Sequence, residues 1–231
     1  MGRTRLTRAA WQPVPAEFQS RVDDDGLWRE LRSPPAPGAP RPALFLDRDG
    51  TVIEEVGFLS RPDDVRPIAD ALTAIVRANA LDVPVVFVTN QSGIGRGHFG
   101  WREYAAVEER LAALIAKAGG RIDAVYASPH PPAPDPGAQS PHRKPAPGML
   151  LRAASDLNLD LGASWIAGDC ASDIEAGRRA GLPLGWLAPT GYGARDAARA
   201  RSLAGPGFTV VVGRGLAALA ARLEELAPGR S

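Results

Sequence analysis

Two carboxylates stand two positions apart where a short apolar run ends: Ala43-Leu44-Phe45-Leu46 leads straight into Asp47-Arg48-Asp49-Gly50-Thr51. Alternate side chains on an extended chain share a face, so both acids can be turned toward one substrate group. Three more polar clusters follow. The run Val85-Val86-Phe87-Val88 stops at Thr89-Asn90-Gln91-Ser92-Gly93, a proline-rich stretch closes on Arg143-Lys144-Pro145, and Trp165-Ile166-Ala167 stops at Gly168-Asp169 with Asp173 beyond. Paired acids, a hydroxyl, a cation and further acids are the groups required for phosphoryl transfer through an aspartyl-phosphate with a hard metal ion. In that chemistry Asp47 attacks phosphorus. Asp49 protonates the departing alkoxide and later takes a proton from water, while Asp169 completes an oxygen-rich Mg2+ shell. Thr89 and Lys144 hold the phosphoryl oxygens, and Asp173 orients Lys144 or a metal-bound water. Each cluster alone also reads as turn chemistry, and Asp-x-Asp-Gly as a fragment of a calcium loop. Their conjunction, in this order, points to phosphoryl transfer.

The elements that must position these residues alternate along the chain. Strand-like runs at 43–46, 83–88, 124–127, 165–167, 184–187 and 209–212 are separated by helix-period segments at 68–79, 101–117, 148–157, 174–180 and 216–226. This alternation predicts an α/β fold with a Rossmann-like, doubly wound parallel sheet, in which ligands lie at the carboxyl ends of strands. Prolines between Ser33 and Pro40 predict a linker after an N-terminal arm, residues 1–40, with the domain proper at 41–231. Trp11, Phe18, Leu27 and Trp28 give that arm apolar surface with which to pack back. A second proline-rich stretch, 130–147, predicts a long loop inside the domain.

Composition narrows the function classes. A chain of 231 residues with net charge +1 supplies no electrostatic case for a nucleic-acid or membrane partner. No apolar run is long enough to span a bilayer, and no secretory h-region follows the basic N-terminus. The single cysteine, Cys170, forbids an intrachain disulfide and fits a reducing compartment, so a cytoplasmic protein is expected; a monomer is expected over an oligomer.

The order DRDGT, TNQSG, RKP and GD-x-x-x-D resembles the four motifs of the haloacid-dehalogenase (HAD) superfamily of phosphatases. More narrowly, FLDRDGTV, VTNQSGIGRG, SPH and RKPAPGML resemble the D-glycero-D-manno-heptose-1,7-bisphosphate 7-phosphatase group, with the histidinol-phosphate phosphatases as near relatives. The resemblance covers residues 43–191. It implies a sheet without a large cap domain, Mg2+ dependence, Asp47 as nucleophile and Asp49 as acid/base. The implied metal ligands are Asp47, the backbone carbonyl of Asp49, and Asp169. Thr89 and Lys144 are implied to stabilise the phosphoryl group, and Arg143 to contribute to substrate recognition. Glu55, Val56, Gly57, Phe58, Asn90, Gln91 and Ser92 match positions lining the substrate site, and the implied partner is a small phosphorylated metabolite, a sugar phosphate. Histidinol phosphate or another small phosphomonoester as substrate, and a sugar-phosphate-binding scaffold without turnover, are the competing readings.

One departure from the group is plain. Its structural zinc loop uses cysteine ligands, whereas the matching positions here read Ser128-Pro129-His130 and Ser140-Pro141-His142. Two histidines make a poor tetrahedral site, so zinc is not expected. Three further signals are set aside. Gly95-Arg96-Gly97-His98-Phe99-Gly100 matches G-x-G-x-x-G but lacks the acidic residue a dinucleotide site wants, so it reads as a flexible glycine turn that could bring Arg96 near substrate. Cys170 beside Asp169 is no nucleophile, since a neighbouring carboxylate disfavours the thiolate. Arg3, Arg5 and Arg8 read as solubility.

Overall fold

The computed structural model describes residues 13–227, so the arginines at 3, 5 and 8 and Trp11 lie outside the described residues. Seven strands form one sheet in the order β1-β4-β3-β2-β5-β6-β7. They are β1 (Trp28–Leu31), β2 (Leu44–Leu46), β3 (Val85–Asn90), β4 (Ala124–Ser128), β5 (Trp165–Gly168), β6 (Leu184–Leu187) and β7 (Thr209–Val212). All neighbours are parallel except β1, which runs antiparallel along β4 with Trp28 opposite Ala127.

The chain steps from β2 to β3 and β4 in one direction, then returns to the other side of β2 for β5, β6 and β7. The reversal lies between β2 and β5, and such a switch point leaves a crevice at the carboxyl ends of the strands. Continuous apolar runs are needed because both faces are covered. Leu44, Leu46, Val85 and Phe87 pack on one face, with Ala74, Ile75 and Ala78 of α1 (Ala69–Ala80) and the apolar side of α3 (Trp101–Lys117). Phe45, Val86, Val88 and Ile166 alternate onto the other, against Met149, Leu150 and Ala153 of α4 (Gly148–Leu157) and Ala176 of α5 (Ala171–Ala180). No cap domain is present among the described residues: between β2 and α1 the chain makes only a tight turn and a 3-10 turn at Pro62–Asp64. No helix among them is long and apolar enough to cross a membrane.

Several elements differ from the expectation. Residues 28–31, assigned by proline content to the arm, are an edge strand of the sheet, with Trp28 fully buried against Trp101 and Tyr104 at centroid distances of 5.4 and 5.3 Å. Four residues are too few to show a strand period, and the prolines at 34, 35 and 37 mask their continuity with the domain. Predicted at 83–88, β3 begins after Pro84 and runs on through Thr89 and Asn90, because Thr89 and Asn90 pair with Ala127 and Ser128. The helix expected at 216–226 is α7 (Leu216–Ala220) followed by a 3-10 turn at Leu223–Leu226; the buried positions keep their spacing while the turn tightens. Two short helices were unforeseen. In α2 (Ser92–Gly95) two of four residues are glycine, and in α6 (Gly193–Arg201) only Gly193 and Ala200 are buried, so neither shows an apolar stripe.

Candidate active site

Four loops at the carboxyl ends of β2, β3, β5 and β6 converge with the Lys144 loop. Asp47 follows β2, and its backbone N–H donates to the Ala167 carbonyl at 2.9 Å, tying it to β5. Beyond it the chain reverses at once: the Arg48 carbonyl accepts N–H groups from Thr51, Val52 and Ile53, and Gly50 takes a left-handed φ of +76°. That turn carries Asp49 back beside the strand ends instead of away from them.

Lys144 is the centre of the floor. Its ammonium donates to Asp47 Oδ1 at 2.6 Å and the Val88 carbonyl at 2.7 Å, and pairs with Asp173 Oδ1 at 2.6 Å. Asn90 fixes the Lys144 backbone from both sides, accepting its N–H at 3.1 Å and donating to its carbonyl at 3.2 Å. Asp173 stands in the first turn of α5, where its Oδ2 accepts the Cys170 N–H at 2.9 Å; a Cβ on Gly168 would overlap its carboxylate. Asp169 Oδ2 accepts the Tyr192 N–H at 2.8 Å from the loop after β6. These residues are almost sealed from solvent: Asp47 is 7% exposed, Lys144 3%, and Asp169 and Asp173 1% each.

The charges are unbalanced. Burial pushes the Asp47 carboxyl well above its ordinary range; Lys144 opposes that rise, while Asp173, Asp169 and Asp49 add to it. Burial also lifts Asp169 to about 6, reinforced by Asp173 and opposed by the Tyr192 N–H. For Lys144 burial favours the neutral amine, but Asp173 and Asp47 outweigh it and hold the ammonium charged. Burial and the Asp173 and Asp169 carboxylates drive the Cys170 thiol far up, which removes it as a nucleophile.

The oxygen groups fit Mg2+. Asp47 and Asp169 supply carboxylates, and no donor among the described residues reaches the backbone carbonyl of Asp49. A Cβ on either Gly50 or Gly191 would overlap Asp169 Oδ2, so these glycines let the Asp47–Gly50 turn and the β6 loop close around that carboxylate. A cluster rich in carboxylates, with raised proton affinity and an oxygen donor set, suits a hard divalent cation.

Asp49 is held differently. Arg48 grips it with Nε to Oδ2 at 3.0 Å and Nη2 to Oδ1 at 3.1 Å, and Gln91 Nε2 donates to Oδ2 at 2.7 Å. The same Gln91 amide donates to Thr89 Oγ1 at 2.8 Å. Thr89 and Gln91 are buried, and Ser92 begins α2 half-buried.

The rim comes from longer loops. Glu55 Oε1 accepts the Gly57 N–H at 2.6 Å, and burial raises its carboxyl. Val56 and Phe58 are 54% and 48% exposed, with the Phe58 ring stacked on His98 at 4.1 Å. A hollow of about 330 Å³ lined by Val56, Phe58, Leu59, Ser60, Asp64 and Arg66 adjoins this loop; it includes none of the floor residues. Arg143 Nη1 donates to the His130 carbonyl at 2.7 Å, and burial together with nearby Arg96 lowers its proton affinity. His130 Nε2 lies 2.9 Å from the Asp25 carbonyl and His142 Nε2 lies 3.8 Å from the Asp25 carboxylate, so both face the turn before β1.

Sequence reasoning missed four contributors. The loop after β6 supplies Tyr192 to Asp169, and Thr190 Oγ1 donates to the Gly50 carbonyl at 2.5 Å. The rule that ligands gather at strand ends would have directed attention there, since 184–187 was read as a strand. Arg48 was passed over as the residue between two acids. Its partner Glu108 falls in the buried stripe Trp101, Tyr104, Glu108, Leu111, Ile115 of α3, where a charge is itself a signal.

Comparisons with known proteins give the chain its relatives. A HAD-hydrolase-like family profile matches residues 141–212. A D-glycero-beta-D-manno-heptose-1,7-bisphosphate 7-phosphatase from Mesorhizobium japonicum is 47% identical over 149 residues, covering 63% of this chain and 69% of the relative. A D-glycero-D-manno-heptose-1,7-bisphosphate 7-phosphatase from Thermosynechococcus vestitus is 40% identical, covering 68% and 83%. Among solved structures, a D,D-heptose 1,7-bisphosphate phosphatase from B. bronchiseptica, crystallised with magnesium and phosphate, superposes with a TM-score of 0.69 at 34% identity, covering 80% of this chain and 98% of that one. Related in both sequence and architecture, the chain belongs to the HAD-like phosphatase family, in the group of the D-glycero-D-manno-heptose-1,7-bisphosphate 7-phosphatases.

Proposed function

We propose that the protein is a Mg2+-dependent phosphomonoesterase that removes the 7-phosphate of D-glycero-D-manno-heptose 1,7-bisphosphate in cytoplasmic carbohydrate metabolism. The observation that carries this reading is the meeting of Asp47, Lys144, Asp173 and Asp169 at the switch point of the sheet, beside Asp49 and Thr89. The names borne by the relatives support the substrate, and the lone Cys170 suits a reducing cytoplasm.

Bound at Asp47, Asp169 and the Asp49 carbonyl, Mg2+ would neutralise phosphate charge and so permit approach of an anionic nucleophile. Asp47 then attacks phosphorus, forming an acyl-phosphate as the bond to the sugar oxygen breaks. Asp49 gives its proton to that oxygen. It next takes a proton from the water that hydrolyses the acyl-phosphate, which restores both acids and releases inorganic phosphate. Lys144, held charged between Asp47 and Asp173, and the Thr89 hydroxyl stabilise the transferring oxygens. At the open rim Arg143 offers a guanidinium to a second anionic group, and Phe58 an apolar face to the sugar.

Phosphate release with Mg2+ should be measured on both anomers of heptose bisphosphate, histidinol phosphate and simple sugar phosphates. A clear preference for the heptose bisphosphate is expected; equal rates across the panel would leave a generalist phosphatase. Asp49→Asn is expected to abolish turnover while inorganic phosphate still binds, and an inactive wild type that binds phosphate would leave a scaffold.

A further inference from the structure

Glu108 is out of place. It lies in the middle of the apolar stripe of α3, 1% exposed, and its Oε1 accepts Arg48 Nη1 at 2.7 Å. Arg48 is equally buried, with its guanidinium 5.4 Å above the Tyr104 ring. Its guanidinium also donates to Asp49, from Nε to Oδ2 and from Nη2 to Oδ1. Gln91 closes the set by joining Asp49 to Thr89.

A buried ion pair is by itself a weak source of stability. Removing two charges from water costs several kcal/mol per ion, and well-packed apolar replacements are often neutral or stabilising. Glu108 Oε2 is buried without a partner, a further cost. The Arg48 side chain is anchored at one end in the core and at the other on a carboxylate whose orientation matters to about 1 Å. We propose that Glu108, acting through Arg48, is a positioning residue for Asp49: the buried pair locks the Asp49 carboxylate in one orientation beside Thr89. This rests on the phosphatase reading above.

The apolar double variant Arg48→Met/Glu108→Leu separates positioning from structural support. Its melting temperature should match or exceed that of the wild type, and its affinity for inorganic phosphate with Mg2+ should be unchanged. KM should stay within about threefold while kcat falls about 10- to 100-fold, as expected when geometry is lost only in the transition state. A folded double variant with kcat within about twofold of wild type would overturn the proposal. If the double variant does not fold, Glu108→Gln and Glu108→Asp decide. The proposal expects the glutamine to lose kcat at constant KM and the aspartate to recover part of it. Equal losses in both, tracking their melting temperatures, would reduce Glu108 to a structural role. A wild type without turnover on any phosphomonoester defeats the functional reading itself, whereas active wild type with equally active variants defeats this inference alone.

Discussion

The floor and the rim of the site are built on opposite plans. On the floor, Asp47, Lys144, Asp169 and Asp173 are buried, tied to strand ends and joined by short charged hydrogen bonds. On the rim, Val56, Phe58 and Tyr192 are exposed, and the ring contacts of Phe58 and Tyr192 are with the equally exposed side chains His98 and Arg195. Charge developing during phosphoryl transfer is stabilised best by groups already oriented in a poorly hydrated place, so the chemistry belongs on the sheet. Substrate choice needs only surface complementarity, so it can sit on loops, where changes leave the core undisturbed.

Substitution at Asp47 tests that contrast most severely. Asp47→Asn should reduce phosphate release about 1,000-fold or more while leaving the protein folded, because it removes a nucleophile that burial already disfavours as an anion. Retention of a tenth of the activity would break the assignment of the floor. Lys144→Met comes next. With Asp47 and Asp173 left buried without their shared cation, turnover should fall about 100-fold or more, and urea unfolding should register a loss of about 3–5 kcal/mol.

Metal removal should link the floor to pH. The folded state holds the Asp169 proton up to about 6, whereas an unfolded aspartate releases it near ~3.9. Without Mg2+ this group therefore costs stability progressively as pH rises from about 4 to about 6. Mg2+ binds the ionised form, so its gain in melting temperature should be small near pH 5 and largest above about pH 7. A gain independent of pH would separate Asp169 from the metal. The smallest effect belongs to the rim: Phe58→Ala should raise KM about three- to tenfold, with kcat within about twofold and an unchanged melting temperature. A large fall in kcat would erase the distinction between floor and rim.

The linear chain already determined the chemistry. An apolar run long enough only for a buried strand, stopping at an acid, hydroxyl or further acid, marks a strand end whatever the partners, because backbone pairing and burial act locally. Asp47, Thr89 and Asp169 were legible for that reason, and Lys144 as the cation closing a proline-rich stretch just before a helix. Residues 28–31, α6 and the β6 loop were not: too short or too polar to show a period, they are defined by what they pack against. Only the tertiary structure decided that Asn90 secures the Lys144 backbone, that Gln91 bridges Thr89 and Asp49, and that Glu108, 60 residues from Arg48, meets it in the core. Such contacts depend on strand order and helix rotation. Those are set by the burial of the whole sheet, and no short stretch of residues contains them.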